Sequence, residues 1–319
     1  MLFCLEFSKE NIKAAEFEFR SISKLDSNFH EHWINNNGSV FHGDISLYKT
    51  MAFVRRIGSV LFSFNKPEEL KNCKLPEGKY YVRKVKLSIP DEDFTESMIG
   101  EFLKSEGKVS FKAPDFIILA FFADKWYICK QEFVKNSREL ESRRAPMRPF
   151  FSPVTLHPKF ARFMVNISGT KRGDTVLDPF CGTGGILLEC LFLGRNVIGN
   201  DASFVMVKGT RLNLKYYGFT SEIYCNDIRN LKIERKVDAV ITDMPYGRSS
   251  PVKGDIESLY AISFKKFSEF LKPGGYCVII LENLNWLNLN ESLEVINIIS
   301  MQVHRSLIRN YVILRNSVT

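Results

Sequence analysis

Apolar positions along the chain recur with two different spacings, and the switches between them mark the elements. Leu2 to Phe7 is a short apolar run that predicts a strand. Ile12, Ala15, Phe19 and Ile22 then share one face of a helix expected from Lys9 to about Ser23, with Ser8 as its cap. Asn35 to Gly38 is a turn, followed by a helix from about Ser46 to Arg56 and a strand from Ser59 to Phe64. Further on, Tyr80 to Leu87 carries Val82-Arg-Lys-Val-Lys86, basic residues set between apolar ones, as in a strand. Thr95 to Ser105 predicts a helix. Phe116 to Phe122 and Trp126 to Lys130 predict two strands joined at Asp124-Lys125. From Lys171 the pattern becomes strand, helix, strand, helix. The strands fall at 175–178, 196–200, 221–225, 237–242 and 276–281, with Lys272-Pro-Gly-Gly275 as a turn into the fifth. Residues 293–304 and 307–315 close the chain as an antiparallel pair.

This order predicts an α/β protein. Strand-helix-strand-strand-helix-strand over 1–64 is the split ferredoxin-like arrangement. Residues 65–137 form a second α/β unit. In 138–156, Arg138, Arg143, Arg144 and Arg148 are interspersed with prolines, which restrict the backbone and make a semi-rigid basic linker. Residues 157–319 read as a parallel sheet with helical crossovers and an antiparallel terminal hairpin. Right-handed connections would bring the carboxyl ends of its parallel strands to one edge, where ligands bind.

Composition changes this picture little. A chain of 319 residues has room for two or three domains, and a net charge of +8 suits an anionic partner or simply a solvated surface. The seven cysteines contain no C-x-x-C pair and suggest no zinc grouping, so no metal is expected, and their odd, scattered placement argues for a reducing cytoplasm. The amino terminus is too short and too soon charged for a signal peptide, and no run reaches membrane-span length.

The chemistry concentrates in Thr175-Val-Leu-Asp-Pro-Phe-Cys-Gly-Thr-Gly-Gly-Ile-Leu-Leu-Glu189. A strand ends at Asp178, a loop carries Gly182, Gly184 and Gly185, and an apolar helix follows. Glycines let the backbone approach a ligand closely. A carboxylate at the entrance would repel a pyrophosphate but suits a ligand with positive charge. Asp178, Asp201, Asp227 and Asp243 all lie at carboxyl ends of predicted strands, as acceptor-only groups that face donors.

Four stretches resemble known families. The Asp178, Phe180, Gly182, Gly184 spacing is similar to the cofactor loop of class I methyltransferases, which use S-adenosylmethionine. Lys108-Val-Ser-Phe-Lys112 with Ala113-Pro-Asp115 resembles the THUMP domain of RNA-modifying enzymes, which binds the acceptor end of tRNA. The run from Arg144 to Asn166, with Leu156-His-Pro-Lys-Phe-Ala-Arg162, resembles the entry segment of the archaeal tRNA (guanine-10-N2)-methyltransferase family. Thr242-Asp-Met-Pro-Tyr-Gly-Arg-Ser-Ser250 resembles the D-P-P-Y motif of methyltransferases that act on planar amino groups.

These resemblances imply transfer of one or two methyl groups from S-adenosylmethionine to the exocyclic N2 of a guanine in tRNA. His157, Pro158, Asp178, Phe180, Gly182, Thr183, Gly184, Asp201, Asp227 and Ile228 would hold the cofactor. Asp201 would meet the ribose hydroxyls, and Asp227 the adenine amino group with Ile228 against the ring. Asp243, Met244, Pro245 and Tyr246 would be catalytic, with Tyr246 stacking on the base. Met244 departs from the family's usual proline: the carbonyl is retained but rigidity is lost, so that restoring proline would be neutral or mildly activating. Lys84, Lys86, Arg143, Arg144, Arg148 and Arg248 would touch RNA, and no protein partner is indicated. The residues alone reach "an exocyclic amine on a nucleic acid", which leaves another RNA, DNA, or a non-catalytic RNA-binding protein as alternatives.

Overall fold

The computed structural model describes residues 1–89, 94–103, 108–153, 155–245, 256–289, 291–304 and 307–317. It divides into two units, Met1–Asn136 and Ser137–Thr319.

The first unit is built on one eight-stranded sheet. Its elements are β1 (Leu2–Phe7), α1 (Ile12–Ser23), β2 (His30–Asn35), β3 (Gly38–His42), α2 (Ile45–Tyr48), β4 (Val54–Phe64), β5 (Lys79–Lys86), α3 (Glu96–Leu103), β6 (Lys108–Val109), β7 (Phe116–Phe122) and β8 (Trp126–Val134). The strand order is β2-β3-β1-β4-β8-β7-β5-β6. The first four strands are antiparallel neighbours in the ferredoxin-like order. A domain boundary at residue 64 does not divide this unit, because β4 pairs along its length with β8.

Local chemistry moves two helix ends. Asn11, not Ser8, caps α1: its Oδ1 accepts from the Ala14 N–H at 3.0 Å. The second helix stops at Tyr48 rather than Arg56. The buried Glu18 carboxylate accepts from the Ala52 and Phe53 N–H groups at 2.7 and 2.9 Å, so those groups are drawn inward as the chain enters β4. A buried carboxylate offers several acceptor sites and outcompetes one more helical turn. Phe19 packs edge-on against Phe7 and Phe41 in the core beneath.

The second unit contains α4 (Ser137–Glu141), α5 (Pro158–Ile167), β9 (Thr175–Asp178), α6 (Gly185–Phe192), β10 (Asn196–Asn200), α7 (Phe204–Tyr216), β11 (Glu222–Tyr224), β12 (Val237–Asp243), α8 (Ile256–Phe270), β13 (Leu271–Leu281), β14 (Leu293–His304) and β15 (Leu307–Asn316). The sheet order is β11-β10-β9-β12-β13-β15-β14, with β9 to β13 parallel and the last two strands antiparallel. The chain reverses direction across the sheet between β9 and β12, which is where open α/β sheets carry their crevice. Lys272 to Gly275, expected as a turn, lies inside β13; an irregular register between Val237 and Ala239 absorbs the extra residues. Among the described residues, no helix is long and apolar enough to cross a membrane.

The basic linker is part of this second unit. Glu189 on α6 is fully buried and takes two arginines: Arg143 Nε donates to Oε1 at 2.8 Å, and Arg162 Nε and a terminal nitrogen donate to Oε2 at 2.8 and 2.7 Å. The Arg143 guanidinium also lies 4.4 Å from the centroid of the Phe192 ring. Arg148 is buried as well, its Nε donating to the Arg143 carbonyl at 2.8 Å. Arg143 and Arg148, expected to touch RNA, are therefore interior groups: the buried Glu189 needs buried partners, of which the linker supplies Arg143, and Arg148 is tied to the Arg143 backbone. Arg144 is exposed and pairs with Glu141 at 3.1 Å.

Candidate active site

β9 ends at Asp178, and the backbone turns at Gly182 and Gly184, with φ of +52° and +81°. Both values lie in the left-handed region that glycine enters without steric cost. A side chain on Gly184 would also meet Thr210 at 3.0 Å. The Thr210 hydroxyl donates to the Gly182 carbonyl at 2.6 Å, and the Asn213 amide donates to the Thr183 carbonyl at 2.9 Å, so α7 holds the loop from behind. Asn200, buried at the end of β10, donates to the Pro179 and Asn226 carbonyls and accepts from the Asn226 N–H. One amide thus ties together the loops that follow β9 and β11.

These loops surround a cavity of about 610 Å³. Asp178, Asp201, Asp227 and Asp243 all line it, with Phe180, Gly182, Thr183, Ile228, Met244 and Pro245. Sequence order alone separates these carboxylates by as many as 65 positions; the parallel sheet brings their strand ends together. Gly184 lies one step back, as the cap residue before α6. His157 and Pro158 do not line the cavity. His157 caps α5 by accepting from the Lys159 N–H at 3.1 Å, and Pro158 opens that helix. The preceding Ser152, Thr155 and Leu156 line the cavity in their place. The Thr155 and Thr183 hydroxyls are 3.0 Å apart, a contact with no periodic signature in the sequence.

The carboxylates differ in their surroundings. Asp178 is buried, and its Oδ1 accepts from the Phe180 N–H at 3.2 Å and the Thr242 hydroxyl at 2.7 Å. Burial raises its pKa to about 7; those two hydrogen bonds oppose the rise, and the charges of Asp201 and Asp243 add to it. Asp201 accepts from the Gly182 N–H at 2.9 Å and the Ser203 N–H at 2.8 Å, and burial raises its pKa too, against those bonds. Asp227 caps a one-turn helix at Ile228–Asn230 and pairs with the Arg229 side chain at 3.0 Å. A cavity walled by desolvated carboxylates favours a cationic occupant.

Asp243 ends β12 at the cavity wall. Met244 is buried and packs into the core with Leu259 and Phe264. Its N–H donates to the Ile280 carbonyl at 3.4 Å. The Pro245 carbonyl accepts from the Tyr260 hydroxyl at 2.9 Å. Side-chain anchoring and these two bonds hold the segment, so the rigidity expected to be lost with proline is supplied from the core. Tyr246 and Arg248 lie outside the described residues. In the first unit, Lys84 is half-buried and Lys86 exposed on β5.

Comparison with known proteins matches this architecture. Residues 145–310 match the family described as RMKL-like, methyltransferase domain. A tRNA (guanine(10)-N2)-dimethyltransferase of Methanothermobacter thermautotrophicus is 38% identical over 69% of this chain and 67% of its own length. The protein of the same name from Methanocaldococcus jannaschii is 32% identical over 74% of this chain and 70% of its own. The crystal structure of TrmN from Thermus thermophilus shares the fold, with a TM-score of 0.59 at 16% identity, covering 99% of this chain and all of that one. The strand order, the carboxylate-walled cavity and these relatives lead to one assignment: the chain belongs to the archaeal tRNA (guanine-10-N2)-methyltransferase family.

Proposed function

We infer that the chain transfers one or two methyl groups from S-adenosylmethionine to the exocyclic N2 of a guanine in tRNA. The observation that carries this reading is the cavity itself, which sets four carboxylates and an open glycine loop beside the Asp243-Met-Pro segment. The donor set fits the cofactor. A Cβ at Gly182 would meet nothing within 4 Å, so the loop leaves room for a ligand, and Asp178 and Asp201 offer acceptors to its ammonium and ribose hydroxyls. Asp227 and Ile228 line the same cavity and suit the adenine ring. Among the described residues, the two terminal nitrogens of Arg148 are buried without a hydrogen-bond partner near Gly185, at the start of α6. A guanidinium and a helix N-terminus together attract a carboxylate, the remaining charged group of the cofactor. When bound, the cofactor supplies an electrophilic methyl group.

The protein's part is to prepare the amine. The lone pair of a guanine N2 is delocalised into the ring, which makes it a weak nucleophile. Asp243 accepts one N–H and the Met244 carbonyl accepts the other, favouring a pyramidal nitrogen with its lone pair directed into the cavity. The buried Met244 side chain and the Pro245–Tyr260 bond hold these acceptors in place before substrate arrives. Most of the rate gain comes from position and electrostatics. In the first unit, the THUMP-like half with Lys84 and Lys86 captures tRNA through its phosphates.

The test is mass spectrometry of nucleosides from unmodified tRNA incubated with the chain and labelled cofactor. Label in N2-methylguanosine or N2,N2-dimethylguanosine is expected. Label in a methylated adenosine, or none, would overturn the assignment.

A further inference from the structure

Three of the chain's five histidines meet on one hairpin of the first unit. His30 on β2 stands directly opposite His42 on β3 in the antiparallel register. The pairing then slips: Glu31 faces Phe41 and Trp33 faces Val40, so His32 is an extra residue in a β-bulge. A bulge re-aims the side chain it carries. Here His32 is brought to His42, with its Nε2 2.7 Å from the His42 Nδ1. The ring centroids of His32 are 4.7 Å from both His30 and His42. One nitrogen from each of the three rings lies within 4.8 Å of the others. His30 and His32 are exposed and His42 half-buried, so the group is open to solvent.

We propose that His30, His32 and His42 form a binding site for a divalent transition-metal ion of the zinc class. Imidazole nitrogen is a preferred ligand for that class, and three protein nitrogens leave a fourth tetrahedral position for water. Zinc–nitrogen bonds of about 2.0–2.1 Å place ligand atoms roughly 3.3 Å apart around a tetrahedral centre. The His32 and His42 nitrogens, 2.7 Å apart, are closer than that and the third lies within 4.8 Å of both, so ring rotations that part the first pair and draw in His30 complete the triad. Coordination needs the lone pairs of His32 Nε2 and His42 Nδ1, which now share a proton. That proton moves to the far nitrogen of its own ring, a tautomer change with no loss of charge.

The charges nearby are mixed. The nearby Asp124 carboxylate attracts a positive charge and Lys125 opposes it. The site also has a structural use. β2 is the outer strand of the sheet, with an open edge, and its pairing with β3 is interrupted at His32. An ion bridging the two strands at the bulge would clamp that edge.

The experiment uses the untagged full chain titrated with Zn²⁺ alone against a chromophoric chelator at pH 7.5, and with Co²⁺ followed by visible absorption. We expect one ion per chain and the d–d bands of nitrogen-coordinated cobalt. His32→Gln and His42→Gln, each an exposed or half-exposed change, should weaken binding by at least about tenfold, since loss of an outer-shell partner alone costs that much. Zinc should raise the melting temperature of wild type and not of the His32→Gln, His42→Gln double variant. Cys225→Ser, which removes the exposed thiol, should bind as wild type does. Absence of stoichiometric binding, equal binding by the histidine variants, or loss of binding in Cys225→Ser would each overturn the proposal.

Discussion

Asp178→Asn isolates the charge of one buried carboxylate in the cavity wall. In the cofactor-free chain the Asp178 carboxyl holds its proton up to about pH 7, whereas an ordinary carboxyl releases it near 3.8. Between these values the folded state binds more protons than the unfolded one, so stability falls as pH rises through that window. At 1.36 kcal/mol per pH unit the whole span amounts to about 4 kcal/mol. A cation against the ionised carboxylate reverses the penalty. Its apparent affinity should rise about tenfold per pH unit below 7 and then level off, a gain of about 80-fold from pH 5 to 7.5. The range stops there because an α-amino group begins to lose its own proton near about 8. Asparagine keeps an acceptor for the Phe180 N–H and the Thr242 hydroxyl but carries no charge. The variant should bind S-adenosylmethionine weakly, with little change across that range, and its cofactor-free melting temperature should lose this pH slope. Calorimetry at four pH values and thermal melts without cofactor measure both. A wild-type affinity flat within threefold from pH 5 to 7.5, or a variant that keeps the wild-type slope, would refute the argument.

Four further outcomes are expected. Asp243→Ala should keep cofactor affinity and lose about 10²–10³ in single-turnover methyl transfer at saturating cofactor, because one preorganised acceptor is gone. Arg148→Gln should weaken cofactor binding in calorimetry while circular dichroism stays native, and an unchanged affinity would return Arg148 to a purely structural role. Arg143→Met should lower stability in urea unfolding by about 3–5 kcal/mol, since Glu189 keeps only Arg162 to balance a buried charge. Met244→Pro removes the N–H bonded to Ile280 and a buried core side chain, so it should lower the melting temperature and slow turnover, contrary to what the family motif alone suggests.

The parallel part of the second unit's sheet was legible because β9, β10 and β12 are short apolar runs, two of which end in a carboxylate. Thr175–Asp178 and Asn196–Asn200 begin and end in the structure where the pattern places them. That pattern is local: burial on both faces demands apolar side chains, and a positive φ demands glycine. The shared wall formed by Asp178, Asp201, Asp227 and Asp243 follows from the same logic once the strands are known to be parallel. Other features depend on partners far apart in the chain. Arg143 and Arg148 look like surface residues in a proline-rich linker; the buried Glu189, 46 positions further on, turns Arg143 inward, and Arg148 follows by donating to the Arg143 carbonyl. The second helix does not run on to Arg56 because Glu18, on another helix, takes the Ala52 and Phe53 N–H groups. Met244 looks like a lost proline until the core around Leu259 and Phe264 is seen to hold it. His30, His32 and His42 are scattered letters until a single bulge in β2 brings them together. Periodicity carries information about which face a residue occupies. It carries none about which distant charge or ring waits on that face, and folding alone decides that.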